Sequence, residues 1–321
     1  MTTPKLLTVF GATGNQGGSV IEHILAHPVL SKEYTLRGVT RSTTSDKAKA
    51  LTQKGVEMVS GDLNDYDSVS KAVAGSHTVF AVTNYWENPP SKEREVSQGK
   101  RIADASKEHN IKQLIFSNLP NVAALSNGKY PNVHHFDGKA EIGAYIASLS
   151  IPHVNIIAGV FYQNLLTMLR KNPEGEGYIF AQPLPSTTGY PWFNPSRDTG
   201  AYVAGALLQP EIFRVSDPVN IAEAAGFWSG EDVVRVFKEV TGKEAAYVQL
   251  EESVFVGFLP TKELGQEMLE NMFLVRDYGY YGPTVEASYK AVEDGIQRFF
   301  EPKGERPQRL EQWFRENKDK F

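Results

Sequence analysis

Cysteine is missing altogether from this 321-residue chain, and that absence closes several routes at once. No disulfide can form, no thiolate nucleophile is on offer, and no zinc site can draw on sulfur. The composition fits a reducing compartment, so the expected location is the cytoplasm, with the nucleus as an alternative. No apolar run is long enough to span a membrane. No secretory leader is expected, because the short apolar run of "MTTPKLLTVFGATG" has no small-residue cleavage site behind it. Charge of one sign is also lacking. The 33 Lys and Arg are interspersed with 38 Asp and Glu for a formal net charge of −5, which argues against nucleic acid or an anionic membrane as the main partner. Repeats and low-complexity tracts are absent. No G-x-S-x-G elbow occurs and no Ser/His/Asp series stands out, which disfavours a hydrolase. The adjacent His134 and His135 have no third ligand at suitable spacing, so no metal site is expected.

What is present is a rhythm. Short β-rich runs ("KLLTVFG", "TLRGVTR", "VEMVSGDL", "HTVFAVTN", "QLIFSNL", "PHVNIIAG") alternate with segments of helical periodicity. Strands and helices of these lengths in alternation predict βαβ units with right-handed crossovers. The expected fold class is α/β, a doubly wound parallel sheet of the Rossmann, NAD(P)-binding type, with ligands at the carboxyl ends of the strands. The rhythm weakens after Gly159, where Pro, Gly and aromatics predict loops and short strands. Ser229 followed by Asp232 reads as the capped start of a helix. The expected division is a dinucleotide-binding domain over residues 1–158 and a smaller α+β C-terminal lobe over 159–321, with some segments returning to the main sheet.

The stretch "TVFGATGNQGGSV" joins the first strand to the first helix, with Gly11, Gly14 and Gly17 in G-x-x-G-x-x-G spacing. One glycine accepts unusual turn dihedrals, a second lets a pyrophosphate approach the backbone, and a third lets helix and strand pack closely. The helix start then offers N–H groups to phosphate. A ligand-free glycine turn is the alternative, weakened by its place at the first junction of a full βαβ series. The second strand ends in Arg41 rather than an acid, with none until Asp46. A guanidinium there favours a 2′-phosphate, so NADP(H) is the expected cofactor; the alternative is a solvated surface arginine. Asp62 and Leu63 at the third strand end could bracket an adenine. Thr83, Asn84, Tyr85 and Trp86 at the fourth could run beside the pyrophosphate and nicotinamide ribose, with packing as the plainer account of the two aromatics.

The strings "FGATGNQGGSV", "VTRS", "VTNYWE", "SQGK", "HFDGKAEI" and "FYQNLL" together resemble the NmrA-like family, an atypical branch of the short-chain dehydrogenase/reductases, with the nearest likeness to its NADPH-sensor branch. The likeness runs in order to the terminal "QWFRENKDKF". It implies a Rossmann domain with a smaller lobe and a preference for NADP(H). It also implies dinucleotide contacts from Gly11, Thr13, Gly14, Asn15, Gln16 and Gly17, a 2′-phosphate contact from Arg41, and further contacts from Thr83, Asn84, Tyr85, Lys100, Lys139, Phe161, Tyr162 and Asn164.

Reductases of the wider superfamily use a Tyr-x-x-x-Lys pair, the Lys holding the ribose and lowering the Tyr pKa. Lys139 matches the Lys, but His135 stands four residues before it, and Tyr130 is nine residues away, the wrong spacing for one helical face. Two readings stay open. In one, Lys139 only binds cofactor, and the protein is a redox sensor or regulator responding to NADPH/NADP+ through a protein partner or its own homodimer. In the other it is an NADPH-dependent oxidoreductase reducing a carbonyl, enone, quinone or imine substrate. Lys139, His135 and Ser117 would then be its catalytic set, since an imidazole can move a proton near neutrality. Hydrogen-bonded, partly buried histidines are the plainer account of His134 and His135.

Overall fold

The alternating runs become strands where β-branched and aromatic residues cluster. The structure, a computed structural model, describes residues 3–300 and 304–321. The strands of the first half are β1 (Lys5–Phe10), β2 (Tyr34–Thr40), β3 (Glu57–Ser60), β4 (Thr78–Ala81), β5 (Gln113–Asn118) and β6 (His153–Ala158). After them come β7 (Val160–Phe161), β8 (Leu169–Lys171), β9 (Tyr178–Gln182), β10 (Gly189–Phe193), β11 (Val219–Glu223), β12 (Gly226–Ser229) and β13 (Ala245–Gln249). Seven strands form the main sheet in the order β11-β6-β5-β4-β1-β2-β3. The pairs β1–β2, β1–β4, β2–β3, β4–β5 and β5–β6 are all parallel. From β1 the chain builds outward through β2 and β3, then returns to build the other way from β4. The carboxyl ends of β1 and β4 therefore flank the topological switch point, where ligands of doubly wound sheets sit.

Every residue of β4, β5 and β6 is buried, as parallel strands covered on both faces require. Val96, Ile102 and Ala103 of the helix Lys92–Glu108, with Ile142 and Ile146 of the helix His134–Ser148, close a core with Phe10, Val79, Leu114 and Phe116. Each such large apolar side chain taken fully from water contributes about 1.5–3 kcal/mol. The first helix, Asn15–Ala26, buries Val20, Ile21 and Ile24. It also packs on the helix Pro195–Leu207: the Gly200 N–H donates to Ser19 Oγ at 3.0 Å, and a Cβ on Gly200 would lie 2.3 Å from Ser19 O.

The chain divides into two compact units. The first comprises Met1–Asn121, His135–Ile157 and Pro195–Ile221; the second comprises Val122–His134, Ala158–Asn194 and Ala222–Phe321. The first carries the doubly wound sheet. The second has α+β character, with two three-stranded sheets, β12-β10-β7 and β13-β9-β8, and separate helices. There Ser229 and Asp232 form a capping box on the helix Gly230–Thr241, which ends at Gly242 in the left-handed conformation, φ 69°. Among the described residues no helix is long and apolar enough to cross a membrane.

Candidate functional site

The site begins where β1 gives way to the first helix. Gly11 turns at φ 64°, a conformation costly for residues with a Cβ, and the Gly14 N–H donates to Gly11 O at 2.9 Å. A Cβ on Gly17 would stand 2.4 Å from Gly11 O and 2.7 Å from Phe10 O, so the third glycine is what lets helix and strand touch. The N-cap of the helix is Gly14, which has no side chain to receive the first N–H groups, and no acidic residue occupies the first turn. The positive end of this helix is thus left without a capping side chain and is suited to an anion. Asn15 Oδ1 accepts from Ser196 Oγ at 3.0 Å, Gln16 is buried, and Thr13 Oγ1 lies 3.4 Å from Thr40 Oγ1. Lys47 Nζ donates to Thr13 O at 3.4 Å. This second cation beside the turn went unremarked in the sequence, where it reads as one more lysine of a solvated helix.

Arg41 extends just beyond β2, 78% exposed, with Nη1 2.8 Å from Glu87 Oε1. Beyond β3, Asp62 Oδ1 is engaged in its own turn, accepting from Asn64 N at 2.9 Å and Asn64 Nδ2 at 3.0 Å. Leu63 packs against the core, and its carbonyl accepts from Arg101 Nη1 at 3.3 Å.

Beyond β4, Thr83 and Tyr85 are buried, and Asn84 Oδ1 accepts the Trp86 N–H at 3.1 Å. The rings of Tyr85 and Trp86 lie 5.8 and 5.0 Å from that of His135, so the histidine at the superfamily's tyrosine position sits in an aromatic cluster. Ser117 is buried near the end of β5.

Lys139 is the most constrained member. Its Nζ lies 3.0 Å from Thr83 O, 2.9 Å from Thr83 Oγ1 and 2.9 Å from Glu95 Oε1. The Thr83 hydroxyl in turn donates to Glu95 Oε1 at 2.8 Å. The ammonium donates two hydrogen bonds to Thr83 and forms an ion pair with Glu95; Thr83 Oγ1 and Glu95 Oε1 lie 2.8 Å apart, so both fall on the same side of the ammonium. Glu95 is fully buried, and its Oε2 has no hydrogen-bond partner. The sequence reading missed Glu95, which looks like one more charge of "SKEREVSQGK"; its only signal is helical phase, one turn before Gln98 and Gly99, which are buried too.

Lys100 Nζ pairs with Glu141 Oε1 at 2.9 Å and lies 5.3 Å from the Tyr145 ring centre. Glu141 follows Lys139 by two positions, so it leaves the helix on a different face. In the second unit, Phe161 packs edge-on against Phe193 at 5.4 Å, and Tyr162 is buried and stacked on Trp192. Asn164 is exposed and accepts from Thr167 Oγ1 through its carbonyl at 3.0 Å. Tyr130 donates its hydroxyl to Asp277. Burial first, and then that carboxylate, raise the Tyr130 pKa, the reverse of what a proton donor beside a lysine needs. Among the described residues no group of three or more metal-ligating side chains of His, Asp or Glu comes together.

The NmrA-like family model matches residues 3–314 of this chain. The NmrA-like family domain-containing oxidoreductase malD of Malbranchea aurantiaca is 32% identical over 267 residues, 78% of this chain and 76% of its own. The corresponding oxidoreductase lnaB of Aspergillus flavus is 29% identical over 305 residues, 87% of this chain and 86% of its own. Among solved structures, the negative transcriptional regulator NmrA in complex with NADP superposes with a TM-score of 0.76 at 20% identity, over 98% of this chain and 95% of its own. An NADPH-dependent quinone oxidoreductase of Escherichia coli gives 0.65 at 17% identity, over 96% and 98%. Likeness at these identities speaks for the fold. The match along nearly the whole length settles the family: this chain belongs to the NmrA-like family.

Proposed function

We propose that the first unit binds NADP(H) at the carboxyl edge of its sheet, and that the protein is a redox sensor or regulator responding to this nucleotide. The glycine turn at Gly11, Gly14 and Gly17 fits a pyrophosphate, because Gly11 holds the turn at φ 64°, Gly17 lets helix and strand touch, and the helix behind it lacks a capping side chain. Arg41 and Lys47 supply cations for a 2′-phosphate beside it, and Thr83 through Tyr85 with Lys139 would hold the nicotinamide ribose. When bound, the nucleotide supplies a hydride donor or acceptor; the names of NADP-bound structural neighbours support that choice of cofactor.

One observation carries the regulatory reading. Lys139 already donates two hydrogen bonds to Thr83 and is ion-paired with the buried Glu95. The Glu95 carboxylate offsets the ammonium charge, which weakens the pull of Lys139 on the proton of a neighbouring acid. His135 in place of tyrosine, and Tyr130 committed to Asp277, point the same way.

The alternative is an NADPH-dependent oxidoreductase, favoured by the naming of the curated relatives as oxidoreductases. In that reading His135 or Ser117 would hold or move the proton at the substrate oxygen. Purified protein with NADPH and a panel of quinones, enones, imines and aldehydes separates the two. The regulatory reading expects no enzyme-dependent loss of nicotinamide absorbance; turnover abolished by Lys139→Ala would overturn it.

A further inference from the structure

Arg41 is the only residue so far assigned to the 2′-phosphate that already has an anion against it. Its Nη1 donates to Glu87 Oε1 at 2.8 Å. Glu87 is the better anchored of the two, 25% exposed against 78% for the arginine. Arg94, at the start of the helix Lys92–Glu108, donates from Nη2 to Glu87 O at 2.7 Å, and its Nε lies 3.7 Å from Glu87 Oε2. The loop that follows β4 therefore presents a fixed carboxylate to the exposed arginine at the tip of β2.

We infer that Glu87 is a specificity-determining residue: its carboxylate takes the place on Arg41 that a 2′-phosphate would take, and this internal competition sets how strongly the phosphorylated nucleotide is preferred. The inference rests on the assignment of Arg41 given under the proposed function. A phosphate monoester carries close to two negative charges near neutrality and three acceptor oxygens, so it wins Arg41 from a carboxylate with one. What it gains is the difference between the two pairings. The displaced carboxylate falls back on Arg94, whose guanidinium already lies beside it, so its effect on the phosphate runs through Arg41. An unphosphorylated ribose has no charge with which to displace Glu87, and its 2′-hydroxyl can donate to that carboxylate instead. Glu87 thus handicaps NADPH and leaves NADH untouched or helped.

Glu87→Gln removes the charge, keeps the shape, and keeps the backbone carbonyl that Arg94 holds. Calorimetric titration of the full chain with NADPH and with NADH, in wild type, Glu87→Gln, Arg41→Ala and the double variant, gives the test. Glu87→Gln should tighten NADPH about three- to tenfold, leave NADH unchanged or weaker, and lose much of this gain at high salt. In the Arg41→Ala background the same substitution should leave the NADPH-to-NADH ratio unchanged. NADPH binding that is unchanged or weaker in Glu87→Gln, an equal gain for both nucleotides, or a gain that persists without Arg41 would each overturn the inference. A wild-type protein that binds neither nucleotide overturns the cofactor reading and this inference with it; one whose affinity for both falls alike in Arg41→Ala overturns the Arg41 assignment.

Discussion

Lys139 and Glu95 form a salt bridge of 2.9 Å in which the lysine side chain is 12% exposed and the glutamate not at all. The pair ties the helix His134–Ser148 to the helix Lys92–Glu108, and Thr83 joins both to the end of β4 through hydrogen bonds of 2.8 to 3.0 Å. A buried pair of this kind gives little net stability over an apolar substitute, but breaking it leaves an uncompensated charge. Glu95→Gln should therefore cost about 3 kcal/mol in urea unfolding, and Lys139→Met a similar amount. The double variant should cost clearly less than their sum. Additive losses would mean that the two groups are not coupled.

The packing of the helix Pro195–Leu207 on the first helix leaves no room for a methyl group, since a Cβ on Gly200 would meet Ser19 O at 2.3 Å and His23 Cβ at 2.5 Å. Gly200→Ala should destabilise the first unit by about 1–3 kcal/mol through overpacking. By shifting the helix that begins at the glycine turn, it should also weaken nucleotide binding. Gly55→Ala is the control: its Cβ would meet nothing within 4 Å, so only backbone strain at φ 89° acts there. Equal stability of Gly200→Ala and wild type would contradict the packing described.

His153 gives a pH dependence with a definite sign. It is fully buried at the start of β6, its Nδ1 is 2.8 Å from Ile151 O, and its Nε2 has no partner. Burial lowers its pKa, against a smaller opposing effect of the Ile151 bond. The folded state therefore favours the neutral ring. The associated stability is fully present above the unfolded pKa of roughly 6.5 and is lost as pH falls from there toward the folded value. Unfolding free energy should decline through this range by at most about 1.4 kcal/mol per pH unit from this one group. The decline should be shallower in His153→Gln, and an identical slope in the two proteins would contradict the assignment.

Arg41→Ala should weaken NADPH by about 1.5–3 kcal/mol, the range for hydrogen bonds to charged groups, while NADH changes little. The exposure of Arg41 and its pairing with Glu87 favour the lower end of that range. Comparable losses for both nucleotides in calorimetry would remove Arg41 from the 2′-phosphate site.

Much of this architecture was legible along the chain because its signals are local. Continuous apolar runs mark the buried parallel strands, the glycine spacing marks the first crossover, and Ser229 with Asp232 marks a helix start that the structure realises as a capping box. The long-range partners were not legible. Glu95 reads as a solvated charge until the fold brings it to Lys139, 44 positions on. Glu87 reads as the end of "YWE" until β2 and β4 set it against Arg41, 46 positions before it. Lys100 carried an expected dinucleotide contact through family likeness, yet its ammonium faces Glu141, a pairing that depends on the relative rotation of two helices. The membership of Pro195–Ile221 in the first unit follows from the Ser19–Gly200 contact, for which spacing gives no sign.

The most direct test of the account is calorimetric titration of the purified protein with NADPH and NADP+, repeated with NADH. Saturable binding of both phosphorylated forms at the glycine turn, tighter than that of NADH, is the predicted result. No binding of either phosphorylated nucleotide, by heat or by thermal shift, would contradict it.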